Sequence, residues 1–293
     1  MHAQTPVRLS WTRVALLVGD YAGACPRRYA YRYVAGLPAP STSALVAGTA
    51  YDHGLRALFE ARRLGETETS ALAAAHQHAE ETLTARWAET GEPDDRLTET
   101  LALVREAVAH FAAKRPGLVP AALQSEHRFT VRVGDEVVTV VGWSDRIDAD
   151  GTLVEHKWSG SPRWRHGAEG QEWEAEWAAS ARDQLTLYWL ARRAEAARGL
   201  PQPAPVVPRG RVEVLFQRRG LTEPQLRCLE LTFGPEDEAR VLQAVANAWA
   251  VIRAGRFPAR PGPACRWCPY QERCRGDEEA RGTPFAALTE GAA

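Results

Sequence analysis

The sequence predicts an α/β or α+β protein: an N-terminal helical portion, a short antiparallel sheet, then a helix, a strand and a helix. Three observations predict it. Residues 45–114 carry successive stretches of helical periodicity, and residues 125–158 alternate β-branched with polar residues. Beyond them a helix, a strand and a helix follow in turn.

Taken in order, LVAGTAYDHGLRALFEARR (45–63) sets Leu55, Leu58 and Phe59 on one helical face. Gly54 within it costs a helix about 1 kcal/mol relative to alanine. Something is therefore expected to pack closely there. Helices are expected over 68–90, which is Ala-rich, and over 97–114, which ends near Pro116. SEHRFTVRVGDEVVTVVGWSDRIDADGTLVEHKW is broken by Gly134-Asp135 and by Asp148-Ala149-Asp150-Gly151, and reads as a three-stranded antiparallel meander. A long helix from about Trp173 to Arg198 follows. GLPQPAPVVPRG, with four prolines, is a surface connection. RVEVLFQ reads as a strand and 235–254 as a helix, while the ends, before Leu9 and after about Gly282, read as loose. No clean domain boundary shows. The expectation is one domain over 1–293, with a mainly helical part (1–120), a core (121–255), a cysteine-rich loop (256–276) and a tail (277–293).

Composition narrows the classes. The 293 residues can bury a sizeable core, and 45% hydrophobic with 25% charged content is that of an ordinary globular protein. A net charge of −1 supplies no global pull towards nucleic acid or membrane, so a polyanionic partner needs a local basic surface. Val14-Ala15-Leu16-Leu17-Val18 is too short for a secretory segment, and nothing approaches the ~20 apolar residues of a membrane span. A cytoplasmic location is the expectation. Five cysteines argue against a disulfide framework.

The chemistry concentrates in GWSDRIDADGTLVEHKWSG (142–160). Of 36 Lys+Arg residues only Lys114 and Lys157 are lysine. Glu155 and Lys157 stand two apart on the third strand and so share a face, and an antiparallel neighbour can bring Asp145 beside them. Two close carboxylates repel unless a cation lies between them, and hard oxygens suit Mg²⁺ or Mn²⁺. An ammonium beside a metal-bound water can hold that water and exchange a proton, which a guanidinium cannot. On spacing alone the same pattern is also a surface cross-strand ion pair. Gln184 and Tyr188 lie one helical turn apart among apolar neighbours, and must find partners.

Together these residues resemble the PD-(D/E)XK nuclease superfamily in its RecB-like branch. GWSDRID followed by LVEHKWSG carries the likeness. LSWTRVALLVGDYAGACPRRYAYRYV is similar to the branch's opening, GTAYDHGLRAL to its histidine helix, RDQLTLYWLAR to its Gln-x-x-x-Tyr helix, and CRWCPYQERC to its closing cysteines. The resemblance runs over about residues 9 to 275. It implies an α/β restriction-endonuclease-like core, with a mixed central sheet flanked by helices, and metal-dependent phosphodiester hydrolysis. Asp145 and Glu155 would ligate the metal, Lys157 would position or activate the attacking water, and His53 and the carbonyl of His156 would be further ligands. Gln184 and Tyr188 would lie beside the site and assist DNA binding. The chain departs from the commonest pattern in Glu155, where Asp is more usual, and in Trp158, where Thr is common.

Cys265, Cys268 and Cys274 form a C-x₂-C-x₅-C run, and Cys25, before Pro26, is the natural fourth ligand, because the run around Cys228 reads as ordinary packing. Chemistry alone leaves zinc and an iron–sulfur cluster open. The resemblance implies a 4Fe–4S cluster on these four cysteines, acting as a staple between the two ends of the chain. Arg27, Arg28 and Arg32 among Tyr29, Tyr31 and Tyr33, and Arg163 and Arg165 around Trp164, combine charge with rings as a single strand requires. The second cluster adjoins the catalytic strand. Neither lysine is followed by Ser or Thr, so a Walker A loop is absent and any unwinding falls to a separate helicase. A deoxyribonuclease acting on single strands or ends, in repair, recombination or CRISPR-type adaptation, is the leading expectation. A non-catalytic nucleic-acid-binding scaffold with the same fold and a zinc-stapled module are the alternatives.

Overall fold

The computed structural model describes residues 8–19, 23–159, 168–217, 220 and 222–279. In chain order the elements are β1 (Arg8–Leu9), α1 (Trp11–Val18), α2 (Pro26–Tyr29, continuing as a π turn over Ala30–Val34), α3 (Ser43–Arg63), α4 (Glu68–Trp87) and α5 (Asp94–Lys114). They continue as β2 (Ala122–Val133), β3 (Glu136–Ile147), β4 (Leu153–Ser159), α6 (Ala168–Ala197), β5 (Arg209–Phe216), β6 (Gln225–Thr232), α7 (Pro235–Ala254) and α8 (Gln271–Glu279). The chain makes two compact units from interleaved segments. One comprises residues 41–127 and 143–237, and the other 1–40, 128–142 and 238–293.

The first unit holds a mixed sheet. The end of β3 runs antiparallel to β4 (Arg146↔Val154), β4 runs parallel to β5 along its whole length (Leu153↔Gly210 to Ser159↔Phe216), and β5 runs antiparallel to β6. Helices cover both faces. A side chain at Gly210 would meet Leu185 of α6, whereas Leu215 belongs to the core of α3, α4 and α5. The period of two along β5 thus sends alternate residues into two separate apolar layers.

The helical layer is dictated locally. Thr42 and Thr67 cap α3 and α4 by accepting hydrogen bonds from the backbone of Leu45 and Ser70. Ala71, Ala75, Ala79 and Leu83 form a buried stripe on α4. Gly54 of α3 faces it. A methyl group there would sit 3.0 Å from Val108, 3.1 Å from the Ala75 carbonyl and 3.2 Å from Ala79. The glycine's helical cost is therefore offset by close helix packing. Trp158 packs over Gly48 and against Tyr51, with ring centroids 5.7 Å apart. This bulky departure at the end of β4 is core.

The expected helices and meander all form, whereas β6 was not anticipated. Only Leu231 of its eight residues is buried, so an edge strand of this kind shows no apolar alternation. His127 of β2 is buried, its Nε2 lies 2.8 Å from Ser144 Oγ, and its ring stacks on Tyr188. Burial, aided by the charge of Arg192, pushes its pKa down to about 4. A depressed histidine contributes stability that is complete above about pH 6.5 and lost as pH falls through 4. The protein should lose about 3 kcal/mol of stability over that interval. His127→Gln should flatten the profile in urea melts across it; an unchanged slope would contradict this.

In the second unit, β1 lies parallel to the first half of β3 (Arg8↔Thr139, Leu9↔Val140). Trp249 Nε1 and Arg253 of α7 both reach Glu136, at 2.6 and 3.0 Å. The two ends of the chain meet here. The Arg27 amide and guanidinium donate to the carbonyls of Pro258 and Phe257, and Tyr31 donates to Asp277 at 2.7 Å. Tyr29 stacks on Phe257. The tyrosines of the first basic–aromatic cluster are thus partly used in packing. Among the described residues, no helix is long and apolar enough to cross a membrane.

Candidate functional site

Asp145 leaves β3 where Trp143 and Asp145 face outward while Ser144 and Arg146 turn inward. Its Oδ2 accepts the main-chain N–H of His156 at 2.7 Å, which pins it to β4. Glu155 and Lys157 project together from β4 towards α6. Lys157 Nζ donates to Glu155 Oε1 at 2.5 Å, and Gln184 Nε2 donates to the same oxygen at 3.0 Å. Gln184 also donates to Tyr188 Oη at 3.0 Å. The structure therefore gathers Asp145, Glu155, Lys157, Gln184 and Tyr188 around one point.

Asp52, Asp145 and His156 each offer a ligand atom there, all within 4.8 Å of one another. His53 does not join them. It lies on the exposed side of α3, its Nδ1 2.9 Å from Thr82 Oγ1 of α4. The helix explains the exchange. Asp52 shares the stripe of Leu55 and Phe59 at i+3 and i+7, whereas His53 turns about 100° away, with Arg56 and Glu60. An acid on an apolar helical stripe was the available signal for Asp52, and it was not read. His156 is present through its N–H and its imidazole, which points to the opposite face of β4 between Phe59 and Phe111. Arg163 and Arg165 lie outside the described residues.

The electrostatics are those of a site short of positive charge. Burial, then the charges of Glu155 and Asp52, hold the Asp145 carboxyl well above the usual range. Glu155 is 5% exposed, and its Oε2 is buried without a hydrogen-bond partner. A buried orphan oxygen is rare, and costs about 1–3 kcal/mol unless something satisfies it. For Lys157, burial alone would lower the pKa, but Glu155 and Asp145 outweigh it and the net shift is upward. In the structure the ammonium serves as a donor to Glu155. Burial and the Glu155 charge raise the Tyr188 phenol, which stays protonated. Three carboxylates, one of them with an unpartnered oxygen, fit a divalent cation.

The other unit carries the cysteines. Cys25, Cys265, Cys268 and Cys274 line one recess, with Arg27, Arg28 and Tyr31. Burial raises the Cys268 thiol, and the neighbouring Cys25 and Cys265 add to the shift. Cys228 stands apart on β6, 2.8 Å from an Arg115 nitrogen.

Comparison with known proteins bears on the fold and the family. A crystal structure from Eubacterium rectale described as a "Putative exonuclease" aligns over 86% of this chain and 84% of its own, at 14% identity and a TM-score of 0.51. That likeness speaks for the fold. A crystal structure of SSO0001 aligns over 92% of this chain and 86% of its own, at 15% identity and a TM-score of 0.41, too low to carry an argument. Among curated proteins none matches. The sequence profile of the PD-(D/E)XK nuclease superfamily matches residues 18–275, spanning α3, the meander, α6 and the cysteines. Because that match covers most of the chain, the chain belongs to the PD-(D/E)XK nuclease superfamily.

Proposed function

We propose that the protein is a divalent-metal-dependent deoxyribonuclease, with Mg²⁺ or Mn²⁺ held by Asp52, Asp145 and Glu155. The observation that carries this reading is the buried, unpartnered Glu155 Oε2 beside the Asp145 carboxyl, whose proton affinity is raised by burial and then by Glu155 and Asp52. A bound metal would polarise the phosphoryl oxygen and acidify a water. Lys157, held charged, donates to the attacking water and orients it. Gln184 fixes Glu155, and Tyr188 fixes Gln184.

Single strands or DNA ends are the proposed substrate. Trp143 supports this: it is 49% exposed and shares the outward face of β3 with Asp145, two residues away. An indole there can stack on an unpaired base. Arg163, Arg165, Gln184 and Tyr188 are proposed to contact the same strand. The exonuclease mode takes its support from the name of the Eubacterium rectale protein. Repair, recombination or CRISPR-type end trimming, with unwinding by a separate helicase, is the proposed setting. End-labelled single- and double-stranded DNA tests the reading. Cleavage should require Mg²⁺ or Mn²⁺, stop with EDTA and favour the single strand. Trp143→Ala should raise KM several-fold for that strand only. Undiminished cutting in EDTA would refute the metal mechanism.

We further propose that the four cysteines hold a 4Fe–4S cluster. The four cysteines line one recess together, which supports a single shared site for all four thiols. The cluster would tie residue 25 to residues 265–274, which the contacts of Arg27 and Tyr31 already draw together. Anaerobically purified protein should contain iron and sulfide in equal amounts. Cys274→Ser should lose both and expose the chain ends to proteolysis; stoichiometric zinc in place of iron would refute the assignment.

A further inference from the structure

His156 occupies the middle position of the Glu155–Lys157 motif, and its imidazole has a role that follows from hydrogen-bond chemistry alone. The ring is 8% exposed, and its Nε2 lies 3.0 Å from Nη1 of Arg146. A guanidinium only donates, so Nε2 must be the accepting nitrogen and the ring hydrogen sits on Nδ1. Arg146 has no freedom to do otherwise. It is fully buried, and it donates to Asp148 at 2.7 Å and to Glu213 at 2.9 Å. The buried guanidinium therefore dictates the tautomer.

The hydrogen on Nδ1 points away from Arg146, towards Asp52. Nδ1 is buried, makes no hydrogen bond, and lies 3.7 Å from Asp52 Oδ1. The other oxygen, Oδ2, faces the side-chain amide of Gln124 at 3.4 Å. Gln124 has a φ of 45°, the left-handed region that non-glycine residues seldom occupy. Backbone strain is retained where the surroundings impose it, often at functional sites. Asp52 thus accepts a long hydrogen bond from Gln124 on one oxygen and faces His156 Nδ1 just beyond bonding distance on the other, with its carboxylate among the ligand atoms of the site.

We propose that His156 is a positioning residue: its Nδ1–H holds the Asp52 carboxylate against the cation, and the imidazole does not itself ligate the metal. This rests on the metal-dependent reading above. It makes the side-chain ligands oxygen only, from Asp52, Asp145 and Glu155, a set that suits a hard cation. It also gives the buried Glu213–Arg146 pair a function, as the anchor that selects the histidine's tautomer.

The test uses the whole protein loaded with Mn²⁺. The electron spin echo spectrum of wild type should show no directly coordinated nitrogen; a directly bound imidazole nitrogen overturns the proposal without any variant. In titrations followed by Mn²⁺ paramagnetic resonance, His156→Ala should weaken binding about 10- to 100-fold. His156→Asn, whose amide nitrogen takes the place of Nδ1, should restore most of it. His156→Gln, whose amide takes the place of Nε2, should not. In an Asp52→Asn background His156→Ala should cost less than about twofold more, because its partner is already impaired. A full additional loss in that background overturns the proposal. If wild type binds Mn²⁺ through nitrogen, the inference alone fails; if wild type binds no Mn²⁺, the nuclease reading fails with it.

Discussion

Asp145→Asn is expected to abolish cleavage and, in metal-free buffer above neutral pH, to raise the melting temperature. The two effects share one cause. Asp145 is crowded by Glu155 and Asp52, with burial as the largest contributor to its raised proton affinity. A carboxyl whose folded pKa lies above its unfolded value contributes stability that is present at low pH and lost as pH rises through the folded pKa. Without metal, wild type should weaken along that rise, and the asparagine variant should not. With metal the order reverses, since the wild-type charge becomes a ligand. Losing one acidic ligand removes several kcal/mol of transition-state stabilisation, about 10³-fold or more in rate. Melting curves from pH 6 to 9, with and without Mg²⁺, paired with single-turnover cleavage, make the comparison. Wild-type cutting by the variant, or a lower metal-free melting temperature, would show that Asp145 does not carry the charge conflict described.

Arg146→Met should cost about 3–5 kcal/mol of stability. Arg146 and Glu213 are both fully buried and bonded at 2.9 Å, with Asp148 on the same guanidinium. Burial alone would raise the Glu213 pKa, and Arg146, with His156 and Arg115, together reverse it. Removing the arginine leaves that carboxylate in the core with Arg115 at 2.9 Å and the more distant Arg211 at 3.9 Å to balance it. Replacing both partners by apolar residues of similar volume should recover much of the loss, because no uncompensated charge remains. Urea midpoints of Arg146→Met, Glu213→Leu and the double variant measure this. If the double variant loses the sum of the two single losses, the pair is not coupled. Arg146→Met should also weaken Mn²⁺ binding, through the released His156 tautomer.

Much of this was legible in sequence because it is local. The period of two along the meander placed Glu155 and Lys157 on one face, and the turn at Asp148–Gly151 brought Asp145 back beside them. Gly54 announced a close helix contact through its helical cost alone. The C-x₂-C-x₅-C run and Cys25 indicated one shared site, and the four residues do line one recess. Edge strand β6 escaped because half-exposed residues leave no periodic trace.

What the amino-acid order determined on its own was the fold class, the helices and meander, and the shared face of the acid and the lysine, since these follow from backbone periodicity and side-chain chemistry. Tertiary structure alone decided which neighbour on α3 faces the acids, which side chains flank the two nitrogens of His156, and that the acids raise the Lys157 pKa. Each of these depends on groups distant in the chain: Asp52 on Asp145, His156 on Arg146, and Lys157 on both acids. Charge and hydrogen bonding act across a few ångströms of space, and only the folded chain sets those distances.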